Sequence, residues 1–302
     1  MTPQVFVQAT ACPEISKGEQ PLFIQERFGA RGKGGGVTVA RGLRTIRTGL
    51  LVVAILAGSS VHAQAADDDN EPSVTPYRPT VSNPADLSAP GWLEAEVGGL
   101  RTLNEDHSRN DSVPWLLKYA LDENYGLLLG GNGYVSQQLA GAPAQDSFGD
   151  VSLAWKQRFP VSEKTAFGIE AGVIAPTASH DLGVGKSLWF VNGIFSTDLD
   201  ALHLDVNLGE AHGGAEQTGV SLWQTAWAAA ISRPLFGDWG AAFELSGIYQ
   251  SGSAAQSRAL FALNYNWSRR LVLDCGTAYG LTHAAHDRSF FAGATVLIGH
   301  LR

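Results

Sequence analysis

A chain of 302 residues has room for one large domain or two small ones, and length alone does not choose between them. Charged residues are only 17%, Gly is abundant at 35, and mean hydropathy is −0.02; this is too polar for a helical membrane protein and too poor in charge for an ordinary water-facing surface. The formal charge of −8 is uneven: residues 1–65 carry seven Lys/Arg and three Asp/Glu, which leaves 14 basic and 26 acidic groups in the rest and argues against nucleic acid as a partner.

Residues 1–40 lack hydrophobic periodicity and contain the run Gly34-Gly35-Gly36. They read as a leader or as a gene-start artefact, with initiation at Val37 or Val39. Residues 41–65 read as an export signal. Arg41, Arg44 and Arg47 form a basic head, Gly49–Gly58 an apolar run too short to span a bilayer, and Val61-His62-Ala63 or Ala63-Gln64-Ala65 a small-x-small cleavage pattern. No Cys stands near that site, so a lipid anchor is not expected. Cys12 lies upstream of cleavage and leaves Cys275 alone, so no intrachain disulfide is expected either.

Residues 66–90 are acidic and then Pro-rich (Asp67-Asp68-Asp69, Pro72, Pro76, Pro79, Pro84, Pro90) and read as a periplasmic lead-in. Whether this segment folds back into a lumen is left open. No stretch of 18 or more uncharged apolar residues follows residue 66.

From Trp92 to the end, segments of about ten residues alternate in polarity and are separated by Gly, Pro, Asp, Asn or Ser. Successive side chains of a strand point to opposite faces. Leu93, Ala95 and Val97 thus face away from Glu94 and Glu96, Trp115, Leu117 and Tyr119 from Leu116 and Lys118, and Leu202, Leu204 and Val206 from His203 and Asp205. Strands are predicted near 92–103, 113–122, 124–137, 147–159, 165–175, 186–197, 201–211, 221–232, 238–250, 256–268, 270–280 and 288–300. About twelve strands, with short turns alternating with longer loops at 104–112, 138–146, 176–185, 212–220, 251–255 and 281–287, predict an antiparallel transmembrane β-barrel over residues 91–302. All eight Trp follow residue 65, and Trp92, Trp115, Trp155, Trp189, Trp239 and Trp267 are expected near strand ends, as an interfacial girdle requires. The bland alternative is a soluble β-sandwich or lipocalin-like barrel, which alternates equally well.

The stretch Phe148-Gly149-Asp150-Val151-Ser152-Leu153-Ala154-Trp155-Lys156-Gln157-Arg158-Phe159 resembles a strand of the putative MetA-pathway of phenol degradation family. Ala175-Pro176-Thr177, Gly183-Val184-Gly185-Lys186 and Asn207-Leu208-Gly209 match in order, so that the resemblance covers roughly residues 85–302. Two places depart from the pattern: Ala178 stands where Gly is common, and the chain ends Gly299-His300-Leu301-Arg302 in place of a terminal aromatic. The resemblance implies a Gram-negative outer-membrane protein that moves small, often hydrophobic or aromatic, compounds.

The inward set is expected to be Glu94, Glu96, Lys118, Asp150, Lys156, Arg158, Glu170, Asp205, Glu244, Arg258 and Asp274. In a channel these charges set solute preference; in a packed lumen they are structural ion pairs, the reading favoured for Asp150 with Lys156 or Arg158. His203 and Asp205 share an inward face, but no G-x-S-x-G elbow is present and no catalytic residue is assigned. His283, His286 and Asp287, like His180-Asp181 and His212, fall in loops of unfixed geometry, where solvated polarity is the better reading and no metal is expected. No phosphate-cradling loop precedes a helix, and no cofactor is expected. The expected partners are outer-membrane lipid, a small-molecule solute and the barrel assembly machinery. The alternative of another class is a non-conducting barrel that binds a partner through its loops.

Overall fold

The protein is described by a computed structural model over residues 72–179, 182–285 and 287–301. The expected leader and export signal, Asp67–Asp69, His180-Asp181 and His286 lie outside the described residues. The strands are β1 Trp92–Asn104, β2 Arg109–Ala120, β3 Tyr125–Gln138, β4 Gln145–Ser147, β5 Val151–Pro160, β6 Thr165–Ala175, β7 Leu188–Leu199, β8 Leu202–Gly213, β9 Trp223–Pro234, β10 Trp239–Gln250, β11 Gln256–Ser268, β12 Leu271–Gly280 and β13 Asp287–His300.

Both β4 and β5 pair with β3, so they are two pieces of one wall strand interrupted at residues 148–150. β1 pairs with β13 as well as with β2, which closes a ring of twelve antiparallel wall strands. Closure pairs every wall strand on both sides except the short β4, which pairs with β3 alone. Both ends of the wall lie at one rim, together with the short connections at 121–124, 161–164, 200–201, 235–238 and 269–270; this is the turn end. The longer connections gather at the other, the loop end.

The predicted strands match the observed ones to within a few residues, and the differences have physical causes. β2 starts at Arg109, not near 113, because Arg101 on β1 and Arg109 both bond Asp111 and extend the β1–β2 ladder outward. The predicted strand 147–159 breaks because Asp150 turns in to bind the loop that follows β6.

The alternation is inside out relative to a water-soluble barrel. Leu127, Leu153, Phe167, Val191, Leu208, Phe243 and Phe261 point outward and are exposed, while outward charges such as Arg101, Glu210, Arg233 and Arg288 stand close to strand ends. Soluble monomers rarely expose an apolar band of this kind, whereas acyl chains solvate one. Trp92, Trp239 and Trp267 ring the turn end, and Trp189 and Trp223 the loop end. Trp155 lies beside Tyr125 at the turn end, with ring centroids 6.3 Å apart. Trp115 departs from the expectation by standing mid-strand, opposite Gly131 and Val97.

Candidate functional site in the barrel lumen

Residues 72–90 fold back into the lumen and form a strap. Val74 N–H donates to the Arg269 carbonyl at the turn end, the strap reaches its furthest point near Val81-Ser82-Asn83, and Pro90 returns to bridge Ala120 beside the start of β1. Pro72, Pro76, Pro79 and Pro84 hold it extended and remove four N–H donors that a lumen would otherwise have to satisfy.

The wall receives the strap largely through carboxylates. Glu94 accepts from Thr75 N–H at 3.0 Å and Glu96 from Tyr77 N–H at 2.7 Å. Glu244 accepts from Val81 N–H and Ser82 N–H, each at 2.8 Å, and from the Ser82 hydroxyl at 2.9 Å. Glu170 accepts from Asn83 Nδ2. Asn207 clamps the Asn83 main chain on both sides, accepting from its N–H and donating to its carbonyl at 2.9 Å each. Bonds between ionised acceptors and backbone N–H are among the stronger ones available to a protein.

Two lysines complete the site. Lys118 Nζ bonds Glu94, Glu96 and the Thr75 carbonyl at 2.5–2.6 Å. Lys156 Nζ donates to the Pro84 carbonyl at 2.6 Å and the Tyr77 hydroxyl at 2.8 Å, and pairs with Glu170 at 3.2 Å. The Tyr77 ring lies between the two ammonium groups, 3.9 and 4.0 Å from them, so each cation meets the electron-rich ring face. Arg78 reaches across Gly98 of β1 and Gly293 of β13 to Asp274 of β12. A Cβ at either glycine would lie 2.5 Å from the guanidinium, so both positions need Gly for this close approach.

All eleven predicted lumen residues face inward, but their grouping differs from the expectation. Asp150 does not pair with Lys156 or Arg158. It is buried toward the loop end, where it accepts from Ala178 N–H and Val184 N–H. Lys156 binds Glu170 and the strap, and Arg158 binds Asp86 of the strap at 2.7 Å. Arg258 pairs with Asp287 at the loop end. Near the turn end Ser196 donates to Asp205 and accepts from Ala85 N–H, while His203 bonds Asp205 and Asp198. The carboxylate thus stands between hydroxyl and imidazole, an order that gives the imidazole no path to a serine proton. Arg78, Tyr77 and Asn207 carry the docking and were not singled out from the sequence, although Asn207 lay in a matching motif.

Three of the four stretches that carry the resemblance meet around one loop, while Asn207 of the fourth binds the strap. Thr177 Oγ1 donates to the Gly149 carbonyl, Asp150 caps Ala178 and Val184, and Gly183 passes where any Cβ would strike the Asp150 carboxylate. Val184 is thereby buried with Ile174, Leu188, Phe190 and Ala211, so this loop bends into the mouth of the barrel.

Between strap and loops lies a second environment. Leu100, Ile248, Leu260, Ala278 and Phe291 line a small open pocket of about 50 Å³, together with Pro79 and Val81 of the strap. Ser246, Gln256, Ser257, Arg258 and Ser289 supply its polar groups. Among the described residues no group of three or more His, Cys, Asp or Glu is placed to hold a metal ion.

No protein-family model matches the sequence, and no curated protein does either. Among solved structures, an outer membrane channel from Pseudomonas putida F1 is similar in fold, with 12% identity, 71% of this chain and 98% of that one covered, and a TM-score of 0.57. The NanC porin is similar over 68% of this chain and all of its own, at 9% identity and a TM-score of 0.51.

Proposed function

We propose that the chain is a small-molecule channel of the Gram-negative outer membrane. Its turn end faces the periplasm, and its export signal is cleaved near Ala63 or Ala65. In this reading it belongs with the MetA-pathway of phenol degradation family, and small apolar or aromatic solutes load from the loop end. One observation carries the proposal: an apolar pocket opens at the loop end of a lipid-solvated barrel and is floored by a strap that occupies the path below it. Apolar walls with a few convergent polar groups are what recognise a small organic solute. The inward charges around the strap are the groups that would set solute preference once a path opens.

Uptake of a small neutral aromatic by a porin-poor Gram-negative host tests this. Expression should raise the uptake rate severalfold, and Phe291→Glu with Leu260→Asp should abolish the gain while the heat-shifted band persists. A second reading, a non-conducting barrel, is favoured by the burial of Lys118, Lys156, Glu170 and Glu244, which are out of contact with water where the strap is docked. Uptake equal to that of the empty host would establish that reading instead.

A further inference from the structure

Resting on the channel reading, we infer that the pore beneath the strap is cation-preferring, and that the strap masks this preference by lodging Arg78 against Asp274 and capping the other carboxylates. Beside the strap, the wall presents Glu94, Glu96, Glu170, Glu244 and Asp274 against only Lys118 and Lys156, three carboxylates in excess. Nearer the turn end Arg158 meets Asp86 of the strap, and Asp205 meets His203. The five carboxylates come from β1, β6, β10 and β12, so the excess surrounds the passage and is not confined to one side.

With the strap in place that excess is met from within the chain. Arg78 supplies one full charge to Asp274 through two bonds of 2.9 Å. The remaining acceptors take backbone N–H groups of Thr75, Tyr77, Val81 and Ser82 and the Asn83 amide. These donors carry partial positive charge only, so they satisfy the carboxylates without neutralising them. A lumen built to receive anions would place its surplus in lysine and arginine; here the surplus is acidic, and the strap, which carries both Arg78 and Asp86, brings no net charge to offset it.

Once the strap leaves, water enters around the five carboxylates. A ring of like charge inside low-dielectric walls concentrates counter-ions of the opposite sign. Cationic solutes then occupy the constriction in place of Arg78, and anions are repelled by the excess.

The test is single-channel recording in planar bilayers under a KCl gradient, comparing the full chain with a variant lacking residues 74–88. The expected result is low conductance from the full chain, and from the deletion a larger conductance that favours K⁺ over Cl⁻ by roughly threefold or more. Adding Glu170→Gln, Glu244→Gln and Asp274→Asn to the deletion should bring the ratio toward one. Where the deletion fails to give a heat-shifted band, the full-length Arg78→Ala, Ser82→Pro variant is read the same way, since it removes the guanidinium and both Ser82 donors to Glu244, the N–H and the hydroxyl, while keeping the chain intact. Conductance with no cation preference, or with preference for Cl⁻, overturns the inference and leaves the channel reading standing. Absence of any conductance from a folded, heat-shifted variant overturns the channel reading itself.

Discussion

Arg78 and Asp274 stand 196 positions apart in the chain and meet as a two-pronged ion pair, 2.9 Å on each prong, with side chains only 3% and 2% exposed. Removing one member of a buried pair leaves the other charge without compensation, at a cost of about 3–5 kcal/mol. Arg78→Ala and Asp274→Asn should therefore each loosen the strap, read as proteolytic cleavage within residues 72–90 of the reconstituted barrel. The double variant should cost less than the sum of the two. Additive costs would show that the pair does not hold the strap.

Gly98 and Gly293 make the passage for that guanidinium, whereas Gly99 points outward with open space around its Cα. Gly98→Ala or Gly293→Ala should destabilise the docked strap by about 1–3 kcal/mol, and Gly99→Ala should not. In an Arg78→Ala background the penalty at Gly98 and Gly293 should largely vanish, because the atoms they would strike are gone. Protease protection of the strap across this set of variants checks the assignment.

The outward face is predicted to be in acyl chains. Leu208, 62% exposed at mid-strand, changed to Lys should cost about 2–4 kcal/mol and shrink the heat-shifted fraction on a gel. Phe148→Lys in the loop-end connection, at a residue 77% exposed, should change little. Equal tolerance of the two substitutions, measured as urea unfolding midpoints in detergent, would place Leu208 in water.

Asp150 is predicted to hold the loop between β6 and β7 in the barrel mouth. Asp150→Ala leaves the Ala178 and Val184 N–H groups unpaired, at about 1–3 kcal/mol each. Cleavage between residues 176 and 187 should rise, and Gly183→Ala should reproduce it by displacing the same carboxylate. Limited proteolysis followed by mass measurement reads both.

Strand placement was legible because lipid and lumen impose a two-residue period on the sequence, and that period survives even where individual residues are small. Inward assignments such as Glu94, Lys118 and Glu244 followed from it directly. Pairings did not follow, since which inward residues meet depends on register and on what fills the lumen. Lys156 and Asp150 share a strand face yet bind different partners, because Asp150 lies in the break before β5 and turns to a loop, while Lys156 meets the strap. The strap itself was masked by its composition. Proline spacing that reads as a linker also suits a segment with few main-chain donors to satisfy inside a barrel, and Tyr77-Arg78, a large aromatic beside the segment's lone cation, passed unnoticed within it.

The resting place of Arg78 is made from the first strand, the last and the one before it, since the guanidinium crosses β1 and β13 to reach β12. That place does not exist until the seam between β1 and β13 has zipped. During assembly the strap is thus the final piece to seat, and its capture reports that the cylinder has closed in the correct register. A slip of one residue along the seam would turn one of the two glycines outward and set a side chain across the path of Arg78, leaving a miszipped barrel with its amino-terminal segment still outside and within reach of proteases.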